Sequence, residues 1–284
     1  MEGKGDQMSL EENKKLVLQL NNALELKRKI VGLRFFYTEE EFANASAKKL
    51  EGYLPYCVMV RSASLGHSIK ASRYEFGCAG GAMALHAFDL AELYPDKEPD
   101  YFPSGKSYFE RLKIYKTMDS ARKTAQAITI LKKKIYGVML KPLEEYEEDP
   151  DVVIVITTPY NIMRLVQGYN YEYGTNCNFK MGGNQAICAE TTAYPFENDD
   201  INISVLCAGT RQLAKWGRDE LAMGIPYRKL SNIVAGVYAT VNMLERDLDK
   251  KRIERKMKES NEQVIDIVYG LNYDTGAYKF GKGK

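Results

Sequence analysis

Hydrophobic residues recur along the chain in two patterns, and each pattern predicts one kind of secondary structure. Three leucines at helical spacing follow the capping box Ser9–Glu12 and predict an amphipathic helix over residues 10–28. By contrast, the segments Ile30–Tyr37 and Val152–Ile156 are rich in β-branched and aromatic residues. These two segments therefore predict strands, and the second has the unbroken apolar character of a buried one.

Local signals between these segments predict that helices and strands alternate. Thr38–Glu41 is a second capping box and predicts a helix to about residue 49. Thr158–Pro159 supplies an N-cap and a first-turn proline for a helix to about residue 167. The remaining predicted elements are strands at 56–61, 136–140 and 202–207, helices at 107–134 (with a break near Met118) and 229–259, and a solvated acidic linker at 143–150.

The two halves of the chain carry the same order of signals. In each half a strand leads into a helix cap and is followed by one cysteine and then by a Cys-Ala-Gly sequence. The cysteines are Cys57 and Cys78 in the first half, and Cys188 and Cys207 in the second. This order predicts an internal repeat. We expect an α/β fold in which two pseudo-equivalent halves pack as one globular domain, without a Rossmann arrangement.

The repeat also divides the chain into four segments. The predicted division is an N-terminal helix over 1–29, a first half over 30–148, a second half over 149–259 and a C-terminal tail over 260–284.

Composition narrows the partners that this protein can have. The chain has 284 residues, with 40 lysines and arginines against 38 aspartates and glutamates. This near balance gives the whole protein no attraction to nucleic acid or to an anionic membrane. The polar N-terminal residues contain no signal peptide, and no apolar stretch is long enough to span a bilayer. We therefore expect a cytoplasmic protein whose five cysteines are not a disulfide framework.

At several short motifs the chain resembles the ArCR family, a family of unknown function from archaea and anaerobic bacteria. The motifs are Cys78–Gly81, Ala186–Glu190, Cys207–Arg211, Glu220 and Gly224–Pro226. The resemblance covers roughly residues 30–245, and the order of the motifs is more specific than any one of them. It implies an anaerobic host and a cysteine-bearing core, and it carries no settled activity.

The four paired cysteines are the first candidate site. Cys57, Cys78, Cys188 and Cys207 form the ligand set of an iron–sulfur cluster or of tetrahedral zinc. No Cys-x₂-Cys knuckle is present, so such a site depends on the fold to bring distant residues together. The alternatives are redox-active thiols, or small buried residues beside tight turns.

The Cys-Ala-Gly turns are the second candidate site. Backbone N–H groups at Gly80, Gly81 and Gly209 are candidates to hold an anionic cofactor, while the alternative is close packing at a sharp turn. Glu190 and Arg211 lie near the second cysteine pair and predict either a buried ion pair or a clamp for a carboxylate or phosphate.

Three further residues are weaker candidates. His67 and His86 are the two histidines, each either a metal ligand or proton carrier, or an ordinary structural residue. Cys177 lies in a polar, Gly-containing loop and is either a reactive thiol, a fifth ligand or an incidental cysteine.

Three hypotheses of function follow from these candidates. The first is a cysteine-based redox or metal protein that carries an iron–sulfur cluster. The second is a non-catalytic protein that binds an anionic small molecule or cofactor between its halves. The third is a structural subunit of a larger assembly, and a homo-oligomer is compatible with each hypothesis. Whether the four thiols converge separates the first hypothesis from the others.

Overall fold

Two apolar strands pair at the centre of the protein. In the computed structural model, which describes residues 10–176 and 178–270, these are β1 (Val31–Phe36) and β5 (Val152–Thr157). They run antiparallel, with Gly32 opposite Val153. Both strands that the apolar pattern predicts are therefore confirmed, within a residue or two at each end.

Five more strands complete one sheet around this central pair. They are β2 (Lys48–Lys49), β3 (Ile69–Ser72), β4 (Gly137–Pro142), β6 (Asn202–Ser204) and β7 (Leu221–Pro226). The order is β2-β3-β4-β1-β5-β7-β6, and every pairing except β2 with β3 is antiparallel. A Rossmann domain requires a mostly parallel sheet, so the fold is α/β but not of that type.

The three strands nearest the centre are arranged alike on its two sides, β1-β4-β3 on one and β5-β7-β6 on the other. β4 pairs with β1 so that Pro142 lies opposite Val31, and β7 pairs with β5 so that Pro226 lies opposite Val152. Each of these prolines leads into a short 3₁₀ turn, at 143–145 and at 227–229. The antiparallel strands β1, β4 and β3 of the first half thus correspond to β5, β7 and β6 of the second, while β2 has no counterpart. The duplication of the sequence itself, and the domain boundaries, stay predictions.

Twelve α-helices surround the sheet in the described part of the chain. They are α1 (Leu10–Leu24), α2 (Glu39–Asn44), α3 (Tyr56–Ser64), α4 (Ala79–Ala84), α5 (Leu90–Leu93), α6 (Met118–Ala127), α7 (Pro159–Tyr173), α8 (Tyr194–Asn198), α9 (Ala208–Leu213), α10 (Leu230–Ala239), α11 (Val241–Leu244) and α12 (Asp247–Glu259). Two further segments, 107–111 and 186–193, are π-helical. The capping box at Thr38 and the N-cap at Thr158 are confirmed.

The sheet separates two hydrophobic cores. Alternate side chains of β5 point to opposite faces, as the period of a strand requires. Val152, Ile154 and Ile156 belong to one core, which also contains residues of α3, α4 and the segment 186–193. Val153 and Val155 belong to the other, which α1, α7 and α10 cover. The candidate cysteines lie on the first of these faces.

The predicted strand at 56–61 is wrong, because this segment is helix α3. Its apolar residues form a run short enough to fit either a buried strand or one side of a helix. Pro55 precedes the first turn, where its missing N–H costs nothing, and the helix packs beneath β4 and β1. Tertiary packing decides between the two structures.

Four other predicted segments differ from the structure. The helix expected to about residue 49 ends at Asn44, and Lys48–Lys49 is strand β2. The helix expected at 229–259 is broken into α10, α11 and α12, and the one at 107–134 is a π-helical turn followed by α6, which begins at Met118. The segment 143–150, predicted to be a solvated linker, packs against the sheet instead. Leu143 and Tyr146 in it are fully buried, and the Tyr146 hydroxyl lies within 3.1 Å of the carbonyl oxygen of Gly32.

The predicted C-terminal tail is only partly within the described chain. Residues 262–268 have no regular secondary structure, and the remainder from 271 onward lies outside the described residues. None of the helices in the described ranges combines the length and the apolar character needed to cross a membrane.

Candidate functional site

Each half places one cysteine on a helix and one at a turn. Cys57 lies in the first turn of α3, and Cys188 lies in the π-helical segment 186–193. Cys78 and Cys207 are the N-cap residues of α4 and α9. All four are free thiols and partly buried. The two Cys-Ala-Gly sequences therefore open helices, as the sequence pattern predicts.

The fold brings these four thiols into one group, which we call the thiol cluster (Cys57, Cys78, Cys188 and Cys207). Burial raises the pKa of the Cys57 thiol to about 12, and interactions with Cys78 and Cys207 raise it further. Burial also raises the pKa of Cys188, and the other three cysteines all contribute. Such interactions require short separations. The sequence left open whether the four residues meet. Cys57 and Cys188 lie within electrostatic range of each other and of Cys78 and Cys207, but the four are not arranged to hold a metal ion.

Hydrogen bonds hold the two turn cysteines in matching positions. The backbone N–H of Gly81 donates to Cys78 Sγ at 3.4 Å, and that of Thr210 donates to Cys207 Sγ at 3.3 Å. The Thr210 hydroxyl lies 3.0 Å from Cys207 Sγ and also interacts with Cys57. These contacts supply hydrogen-bond donors to sulfur at both turns.

Gly81 is a packing requirement of the first turn. A Cβ at this position would lie 2.9 Å from Tyr56 Cβ and 3.0 Å from Cys78 Sγ, closer than atoms tolerate. At Gly80 the nearest atoms would be 3.6 Å away, and at Gly209 the nearest would be 4.0 Å away. Of the three predicted cofactor-binding glycines, Gly81 is therefore the one that the close approach of its neighbours requires.

Glu190 and Arg211 are not paired with each other. The Glu190 carboxylate accepts hydrogen bonds from the N–H groups of Gly182 and Gly183, at 2.7 and 3.1 Å, and from the Ser204 hydroxyl. Burial raises its pKa. Arg211 donates to three backbone carbonyls, those of Gly217, Val205 and Glu220. Each side chain thus satisfies backbone groups, and the buried ion pair expected as one alternative does not form.

The histidines occupy ordinary structural positions. The His86 ring lies 2.9 Å from the Leu131 carbonyl oxygen through Nδ1 and 3.0 Å from Asp89 through Nε2. His67 follows α3, and its N–H donates to the Ser62 carbonyl. Cys177 lies outside the described residues. Within the described ranges, no group of three or more His, Cys, Asp or Glu residues, the four cysteines included, is arranged to hold a metal ion.

Sequence reasoning missed Gln185, which lies against the thiol cluster. Its backbone is left-handed, with φ +50°, immediately before the π-helical segment that carries Cys188. Its carbonyl accepts from Cys188 Sγ at 3.5 Å, and its amide donates to the Tyr108 hydroxyl at 3.0 Å. The buried Gln185 Oε1 atom has no hydrogen-bond partner. No local signal reveals this position, because glutamine has no preference for left-handed backbone.

A second missed residue is Tyr56, the neighbour of Cys57. Its ring is fully buried and parallel to that of Phe76, with 6.2 Å between the centroids. Its hydroxyl lies 3.1 Å from the Thr192 hydroxyl in the π-helical segment. Tyr56 therefore ties the helix of one cysteine to the segment of another, across the two halves. Its position in a predicted strand concealed this role.

Fold and site together define a class: a mixed α/β protein with one seven-stranded sheet, in which each half of the chain contributes two cysteines to the same face. Comparison with known proteins agrees with the resemblance noted from the motifs. The model of the family described as Uncharacterised ArCR matches residues 19–236, and the chain belongs to this family.

A curated relative and the solved structures add the following. An uncharacterised protein of Methanocaldococcus jannaschii is 27% identical over 233 residues, which cover 82% of this chain and 95% of the relative. No solved structure matches the chain.

Proposed function

We propose that this protein is a cysteine-based metal protein that binds an iron–sulfur cluster through Cys57, Cys78, Cys188 and Cys207. One observation supports the proposal: four thiols from four separate elements, two in each half, lie on one side of the sheet, and Cys57 and Cys188 interact electrostatically with each other and with the two turn cysteines. Four cysteine thiolates are the usual ligand set of [2Fe–2S] and [4Fe–4S] clusters. When bound, such a cluster supplies one-electron transfer.

The four thiols are not arranged to hold a metal ion in the described structure, so the proposal requires them to move together when the cluster binds. Cys78 and Cys207 already accept backbone N–H groups, and hydrogen bonds to sulfur are among the factors that set the potential of such clusters. Cys57 and Cys188 are held on a helix and a π-helical segment that Tyr56 joins, which keeps both halves of the site in place. Because burial raises the pKa of these two thiols, iron must displace their protons on binding.

Anaerobic reconstitution tests the proposal directly. The full chain is incubated with ferrous iron, sulfide and reductant and then freed of unbound metal. We expect a brown protein with a broad visible absorbance, stoichiometric iron and sulfide, and an electron paramagnetic resonance signal in one of two redox states. A protein that stays colourless and iron-free under these conditions overturns the proposal. Colourless protein that takes up zinc alone overturns the iron–sulfur assignment.

Single substitutions separate these ligands from other cysteines. Cys78→Ser and Cys207→Ser keep an oxygen that can accept the N–H groups of Gly81 and Thr210, so both variants should fold. We expect each to lose most of the bound iron. Cys177→Ser is the matched control and should retain the cluster. Equal iron in all three variants would contradict the assignment of ligands, and circular dichroism separates loss of iron from loss of fold.

A further inference from the structure

The two halves differ on the sheet face opposite the thiol cluster. In the second half this face is covered by α1, α7 and α10, which bury Val153, Val155 and Ile225. The equivalent face of the first half carries the short helix α2 and a small cluster that contains Phe36, Phe42, Met139 and Tyr146. A cleft of about 250 Å³ remains beside this cluster.

A buried lysine lines this cleft at a position where the other half has an isoleucine. Lys141 on β4 and Ile225 on β7 each precede the proline that ends the strand, and the two strands pair in matching register. Ile225 is fully buried among apolar side chains, and Lys141 is only 7% exposed. An ammonium group therefore occupies a site that the fold, in its other half, fills with a hydrocarbon.

The Lys141 ammonium has no partner of opposite charge in contact with it. Among residues 10–176 and 178–270, no hydrogen bond or ion pair engages its Nζ atom, which lies 5.4 Å from the centre of the Tyr146 ring. Burial lowers the pKa of Lys141, while the charges of Glu147 and Glu145, which make no hydrogen bond to it, raise it. The Nζ atom is not one of the fully buried polar atoms without a partner, so the ammonium is open to the cleft, where it can pair with an anion.

Lys70, on the neighbouring strand, shows how the protein satisfies a buried lysine by itself. It is 8% exposed, and its ammonium donates to three carbonyl oxygens at the end of α2 at 2.8, 3.0 and 2.8 Å. Lys70 is thus a structural cap for that helix. Lys141 is buried to the same extent but makes none of these contacts. Its ammonium is therefore available to a ligand, whereas that of Lys70 stabilises the fold.

The other residues of the cleft define the chemistry of its occupant. Arg34 also lines it but already pairs with Glu148. Glu41 and Glu147 line the same cleft, so a second negative charge on the ligand would face carboxylates. The walls include Phe36, Met139 and Tyr146, which suit an apolar substituent.

We propose that this cleft binds a small monocarboxylate, whose carboxylate pairs with Lys141 and whose apolar part packs on Phe36, Met139 and Tyr146. The site is on the opposite face of the sheet from the thiol cluster, and it does not depend on the proposed iron–sulfur function. Charge-assisted hydrogen bonds of this kind contribute about 1.5–3 kcal/mol, so loss of the ammonium should weaken binding about 10-fold to 100-fold.

Isothermal titration calorimetry of the full chain tests the ligand class. The probes are a series of monocarboxylates from acetate to phenylacetate, with phenylacetamide as the neutral isostere and inorganic phosphate as the competing anion. We expect at least one monocarboxylate to bind, with the amide about tenfold weaker or more and phosphate weaker than the carboxylate. Absence of binding by every carboxylate, equal binding of the amide, or tighter binding of phosphate would overturn the proposal.

Two variants test the role of Lys141. Lys141→Met keeps the length of the side chain and matches its apolar neighbours, so the variant should fold, and Lys141→Gln is a second uncharged replacement. Lys132→Met removes the same charge from a side chain that is 84% exposed. We expect carboxylate binding to weaken about 10-fold to 100-fold in both Lys141 variants and to be unchanged in Lys132→Met and in Cys78→Ser. Unchanged binding in a folded Lys141 variant overturns the assignment.

Discussion

Asp151 offers a test of how burial governs stability at the junction of the two halves. It directly precedes β5, and its carboxylate accepts the N–H of Phe35 at 2.7 Å. Burial raises the pKa of Asp151 from 3.8 to about 6, although the Phe35 hydrogen bond and the charge of Arg34 act in the opposite direction. The protein therefore holds a carboxyl group that folding makes harder to ionise.

The magnitude and the sign follow from linkage. Below pH 3.8 both the folded and the unfolded states hold the proton, so ionisation costs no stability. Between pH 3.8 and about 6 the unfolded state loses its proton first, so the free energy of unfolding falls as the pH rises. One pKa unit corresponds to about 1.36 kcal/mol, so the full loss above pH 6 is about 3 kcal/mol.

Asp151→Asn removes this ionisation but keeps an oxygen that accepts the Phe35 N–H. Urea unfolding can be followed by the fluorescence of Trp216, the one tryptophan of the chain, which is buried. We expect the variant and the natural protein to be equally stable near pH 3.5, and the variant to be more stable by up to about 3 kcal/mol at pH 7. The exposed Asp96→Asn serves as control and should change stability by less than about 0.5 kcal/mol. A difference that is the same at both pH values would refute the reasoning.

Three further substitutions test other parts of the fold by chemical denaturation. Glu245→Gln leaves the fully buried Arg164 guanidinium without its counter-charge and should cost about 3–5 kcal/mol; a loss under about 1 kcal/mol would show that the pair is solvated. Gly236→Ala would place a Cβ 2.2 Å from the Gly168 carbonyl oxygen where α10 crosses α7, so a loss of at least about 1–3 kcal/mol is expected, and a neutral effect would contradict this close crossing. Thr38→Ala removes the capping box of α2 and should cost about 1 kcal/mol, against no loss in Thr38→Ser.

Patterns within a few residues predicted the local parts of this structure well. The two central strands, the caps at Thr38 and Thr158 and the helix-opening Cys-Ala-Gly turns are all confirmed, because each depends on side chains adjacent in sequence. The strand predicted at 56–61 failed, because a short apolar run is equally compatible with both structures and only packing beneath the sheet selects the helix.

The candidate site was predictable by residue type but not by geometry. The repeated motif singled out Cys57, Cys78, Cys188 and Cys207, whose contacts with one another depend on how the sheet orders the two halves. Gln185 carried no signal, since its left-handed backbone is imposed by its surroundings.

The sequence by itself determined the family, the α/β class, the positions of the central strands and the identity of the four cysteines. The tertiary structure alone decided that Cys188 lies within electrostatic range of the other three cysteines and that Lys141 lines a cleft. It also decided that Glu190 and Arg211 form hydrogen bonds with backbone groups and not with each other. Periodicity and capping are local, so they can be read from neighbouring residues. Convergence and burial depend on the antiparallel pairing of β1 with β5, which joins segments more than a hundred residues apart in the printed sequence.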